Sequence, residues 1–122
     1  MATYKSFKFN FTGDFAVKQG SYFERTFSIS QATADFIANK NIVMQWRRST
    51  DGDIIATFSL ADNTIVVDAG ALTLTLLKPG ADMDMRPQDF TYDMNAYTDA
   101  DDNERVMEGK GTITPRTTGL PA

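Results

Sequence analysis

The chain of 122 residues contains no cysteine and no histidine. Without cysteine no disulfide forms, and thiolate nucleophiles and thiolate metal sites are excluded. The missing redox signal fits a reducing compartment. Without histidine the chain lacks the commonest general base and the commonest metal ligand, so Ser-His-Asp and Cys-His constellations cannot be built. There are only four prolines and one tryptophan, and nowhere do 18 apolar residues run together. A membrane-spanning helix is therefore not expected, nor is a cleaved signal, because Met1 to Lys5 leads directly into alternating lysine and phenylalanine.

Charge of one sign is also short. Twelve basic residues stand against sixteen acidic ones, a net charge of −4 that repels a phosphate backbone. Nucleic acid is thus not an expected partner. Arg47-Arg48 is the one basic pair, read as a solvated strand end. Nine phenylalanines, four tyrosines and the tryptophan supply large apolar areas, enough for one core in a chain of this length. One domain over residues 1–122 follows, with 1–11 a candidate exchange strand or arm and 116–122 a tail.

Period-2 alternation dominates. Phe7, Phe9 and Phe11 alternate with Lys8 and Asn10, and Tyr22 to Ile29 repeats the pattern. Ile42, Met44 and Trp46 alternate with Val43, Gln45 and Arg47, which marks a central strand with Trp46 between two sheets. Ser49-Thr50-Asp51-Gly52 turns that strand into Ile54 to Phe58. Short strands at Ile65–Val67 and Leu72–Leu76 follow, then a proline-bounded loop from Pro79 to Pro87, then a hairpin of Phe90–Met94 with Val106–Ile113. Gln31 to Lys40 is the one helical stretch, a short crossover capped by Ser30. The expected fold is all-β, an antiparallel immunoglobulin-like β-sandwich of about seven to eight short strands with at most one short crossover helix.

Three stretches carry a resemblance. They are Gly20 to Phe27; Val43-Met44-Gln45-Trp46-Arg47-Arg48-Ser49 leading through Asp51-Gly52 to Ile54–Phe58; and Phe90–Met94 paired with Val106 to Pro115. Together they cover most of the chain from residue 20 onward, and their order resembles a small Ig-like module of tailed-bacteriophage virion proteins of baseplate or fibre-associated type. The resemblance implies a non-enzymatic structural protein, made in the host bacterial cytoplasm and located in the virion. It would bind neighbouring virion proteins in the tail, baseplate, neck or fibre region, assembling as a homo-oligomer or ring. A capsid decoration or cement protein and a free-standing carbohydrate-binding module are the alternatives.

No catalytic residue and no cofactor is expected. Asp82 and Asp84, or Asp99 to Glu104, offer paired acids for glycoside hydrolysis, but all fall in loops where solvated acids are the rule. Asp99, Asp101 and Asp102 are weak candidates for a cation. The spacing fails an EF-hand, which needs glycine where Glu104 stands and a bidentate acid where Lys110 stands. Gly109-Lys110-Gly111 is too short for a phosphate-binding loop and reads as a strand glycine pair with an exposed lysine. Candidate partner-binding residues are Phe7, Phe9 and Phe11, which suit addition to a neighbour's sheet edge, Met83 and Met85 on an adaptable loop, and Tyr97 beside the acidic run. Tyr92, Tyr97 and Trp46 are the aromatics that a sugar ring would need.

Overall fold

A computed structural model describes residues 6–98 and 103–115. Alternation becomes strand at each expected stretch, although at Phe7–Phe11 only Phe7–Lys8 is strand and Phe11 is an isolated bridge, and nine strands are found among these residues. They are β1 (Phe7–Lys8), β2 (Val17–Lys18), β3 (Phe23–Ser28), β4 (Asn41–Arg48), β5 (Ile54–Ser59), β6 (Ile65–Asp68), β7 (Thr73–Lys78), β8 (Gln88–Tyr97) and β9 (Glu104–Thr114). The count exceeds the expected seven or eight because the first strand is broken in two. One helix, α1 (Gln31–Ile37), crosses between β3 and β4.

Local chemistry sets the boundaries. Ser30 caps α1 by accepting a hydrogen bond from the Thr33 amide at 3.1 Å. Asn39, at φ 63°, turns the chain out of the helix before Lys40. The β4–β5 turn closes through Gly52 at φ 78°, and the Asp51 carboxylate accepts from the Asp53 amide at 3.0 Å.

The strands form two sheets. The larger runs β1-β9-β8-β4-β5, with β2 also on β9, and the smaller runs β3-β7-β6. All pairings are antiparallel except those of β1 and β2, which lie parallel to β9. A first strand parallel to the last, a central β4 between two hairpins, and a second sheet of three strands make this an immunoglobulin-like β-sandwich.

The inward residues of both sheets meet on Trp46, which is fully buried. Its indole stacks on Phe90 with centroids 4.3 Å apart and 11° between planes, and Phe58, Phe23 and Phe11 close around it at 5.1, 5.4 and 5.7 Å. The indole N–H donates to Met44 Sδ at 3.4 Å, so the one polar atom of the ring is not left without a partner. Arg25, which alternation places on the apolar side of β3, keeps its charge outside by lying over the Phe23 ring at 4.9 Å.

Candidate functional site: the outer face of the larger sheet

The outward side chains of the larger sheet fall into rows fixed by strand register. One row reads Gln45, Asp93, Glu108, Lys8 across β4, β8, β9 and β1. The next reads Arg47, Thr91, Lys110 across β4, β8 and β9. Asn10 continues it, its side-chain oxygen accepting from the Lys110 amide at 3.2 Å. Together with Arg105 these residues line a shallow concavity of about 530 Å³. It carries four cations, Lys8, Arg47, Arg105 and Lys110, against two acids, Asp93 and Glu108, a surplus of two positive charges on a chain of net charge −4.

The charges are not evenly matched. Arg105 donates to Glu108 at 2.8 Å and stands 3.8 Å from Asp93, so one guanidinium serves both acids. The Arg105 hydrogen bond holds the Glu108 carboxyl below its usual range, and the same bond raises Arg105. A glycosidase acid needs the opposite shift, upward and toward neutral pH. Arg47, by contrast, is held by neutral acceptors, donating to Gln45 Oε1 at 2.9 Å and to the Gly52 carbonyl at 3.2 Å. Its sequence neighbour Arg48 pairs with Asp51 at 2.9 Å and Asp53 at 3.9 Å. The two arginines of the basic pair therefore differ: one is neutralised in the turn and one is not.

The structure disperses most of the residues singled out from sequence. Phe11 and Met83 are fully buried in the core, which removes both from any surface a partner could touch. Phe11 has core rings on several sides, and Met83 closes the sandwich beneath the loop that follows Pro79. Phe7, Phe9 and Met85 are partly buried against the same core. The Phe7–Phe11 segment is already a strand of its own domain: Phe7 pairs with Met107, Lys8 with Glu108, and Phe11 bridges to Gly111. Tyr97 is half-buried at the end of β8. Trp46 is fully buried and Tyr92 is 5% exposed, so neither presents a ring to a sugar. Asp99, Asp101, Asp102 and the 116–122 tail lie outside the described residues. Among those described, no three acids gather closely enough to share a metal ion.

Lys8, Asn10, Asp93 and Arg105 went unnoticed in the sequence as site residues because each is of ordinary surface type. Only the register brings them together. The exposed apolar residues Phe15, Tyr22, Ile54 and Val66 were also missed. A smaller cleft of about 380 Å³ runs along the edge strand β5, between Ile54–Thr57 and the pair Lys78 and Asp82. That edge is guarded: the register with β4 skips Ile55, and Thr64 bonds both the amide and the carbonyl of Ser59.

No protein-family model matches the chain, and neither does any curated protein. Among solved structures it is similar to a protein of Bacteroides vulgatus described as a glycoside hydrolase, at 12% identity and a TM-score of 0.46, over 92% of this chain and 17% of that one. It is also similar to extracellular domains 3–5 of Drosophila OTK, at 15% identity and a TM-score of 0.31, over 93% of this chain and 34% of that one. A third is a chain of the complex of ICOS with ICOS-L and an anti-ICOS-L VNAR domain, at 12% identity and a TM-score of 0.37, over 91% and 56%. The chain thus spans less than two thirds of each of these structures, and none of the three is described as a virion protein.

Proposed function

We propose that the chain is a non-catalytic assembly module that binds neighbouring proteins through the outer face of its larger sheet. The observation that carries this reading is the character of the concavity between Lys8 and Arg47: open, lined by six charged side chains and bearing two arginines. Small-molecule sites are mostly apolar and enclosed, whereas protein interfaces favour arginine and a polar, wet periphery. The resemblance of the Val43–Phe58 and Phe90–Pro115 stretches to phage Ig-like modules gives the setting, a bacteriophage virion with the chain in its tail, baseplate, neck or fibre region, repeated as a homo-oligomer or ring.

Quantitative mass spectrometry of purified particles from the source tests this reading. A few to a few dozen copies per particle are expected. Copies in a fixed large fraction of the major capsid protein would move the chain to a decoration or cement role, and its absence from particles would overturn the virion setting.

A further inference from the structure

Strand register sets Arg47, Thr91 and Lys110 side by side on three adjacent strands. Neighbouring strands lie about 4.8 Å apart, so the two cations flank the threonine at roughly 10 Å between their backbones. All three are exposed. Neither cation makes an ion pair among the described residues, and the acids of the neighbouring row, Asp93 and Glu108, are engaged by Arg105. Arg47 is fixed by Gln45 and Gly52, and both acceptors are neutral. A guanidinium offers five N–H donors and these two bonds leave several free. The row thus has a guanidinium held by two neutral acceptors at one end, a hydroxyl in the middle and an ammonium at the other end.

We infer that Arg47, Thr91 and Lys110 form a carboxylate-binding row that takes an aspartate or glutamate side chain from an extended segment of a neighbouring protein. The inference rests on the proposed assembly role of this face and names the partner's chemistry. Charge complementarity selects that partner. A carboxylate above Thr91 lies between two cations that no described acid pairs, while a continuous polyanion long enough to cross the sheet runs on past the concavity over a chain of net charge −4. Spaced acids on a protein strand fit; a nucleic-acid backbone does not.

The test is a titration of the full chain with a synthetic peptide of alternating glutamate and serine, followed by amide NMR shifts. The expected result is a perturbation centred on Arg47, Thr91 and Lys110 that weakens as sodium chloride is raised. Arg47→Gln and Lys110→Gln should each weaken binding about fivefold, the size of one exposed ion pair. Arg48→Gln should leave binding unchanged, since that arginine is occupied by Asp51 and Asp53. Arg47 and Lys110 are exposed and Arg48 is partly buried, and unchanged circular dichroism confirms that each variant is folded. Equal binding of a glutamine-serine peptide, no effect of the two substitutions, or tighter binding of inorganic phosphate at the same amides would overturn the inference. Failure here is separable from failure of the assembly role. Normal copy number of an Arg47→Gln/Lys110→Gln double variant in particles would sink the row and leave the virion setting standing. Absence of the chain from particles would do the reverse and leave the peptide result intact.

Discussion

The Tyr92 hydroxyl donates to the Phe9 carbonyl at 2.5 Å, tying β8 to the first strand across the intervening β9. Burial pushes the phenol well above its usual range, so it remains a donor through the whole physiological range. The path between them is clear because residue 109 is glycine: an added Cβ would sit on the Phe9 carbonyl oxygen and 2.9 Å from the Tyr92 ring.

Gly109→Ala is expected to cost about 2–4 kcal/mol, because backbone rather than a flexible side chain must move, while Tyr92→Phe should cost about 1 kcal/mol. Urea denaturation measures both. Hydrogen exchange at the Phe9 and Phe11 amides, which bond to Glu108 and Lys110, should accelerate before exchange in β4 does.

Gly52 makes a contrasting case. An added Cβ there meets nothing within 4 Å, yet the backbone sits at φ 78°. Gly52→Ala should therefore cost only the left-handed conformation, about 1–2 kcal/mol, with no change in packing. A loss above that of Gly109→Ala in the same urea series would contradict this division between strain and collision.

Trp46 is the only tryptophan and is fully buried against Phe90, so its emission reports on the core alone. Unfolding should shift the emission to the red in one step coincident with loss of the β signal in circular dichroism. Trp46→Ala should cost about 3–5 kcal/mol. Separate transitions for the two probes would show that the two sheets do not melt together.

Acid should destabilise the fold through a small set of carboxylates. Glu108 is lowered chiefly by its hydrogen bond with Arg105, Asp51 by the Asp53 amide, and Asp62 by the Thr64 hydroxyl. Each is depressed in the folded state, so its contribution is present above the unfolded value and is lost as pH falls through the folded one. Thermal midpoints measured from neutral to acid pH should fall on the acid side of the usual carboxylate range. Glu108→Gln should flatten that fall, and high salt should shrink it, because Asp51 and Asp62 are exposed and Glu108 is partly so.

The strands were legible because alternation is a local property. Phe23–Ser28, Asn41–Arg48 and Gln88–Tyr97 each carry it within their own residues, as do the Ser30 cap and the Asp51-Gly52 turn. Partner choice is not local. The Phe7–Phe11 pattern announces a strand, but nothing in it says that the neighbour is β9 of the same chain rather than a second protein. For that reason deleting residues 1–11, which reads from sequence as removal of a docking arm, takes Phe11 out of the core and cannot separate docking from folding. The candidate site was illegible for the same reason. Arg47, Thr91 and Lys110 are far apart in sequence and become neighbours only through the β4–β8 and β8–β9 registers. Gly109 and Gly111 read as an unremarkable strand pair, whereas one clears the Phe9 carbonyl and the other the Phe90 ring.

The break in the first strand bears on how the molecule is made. Phe7 finds Met107 and Val17 finds Ile113, and between the two halves Thr12 to Ala16 loop out around a single 3-10 turn. During synthesis β1 and β2 thus wait for β9 before they have an edge to join. Sheets that depend on such distant closure form slowly. Until β9 emerges, the backbone of Phe7 to Phe11 has no partner strand, and that open edge is what a second chain could pair with.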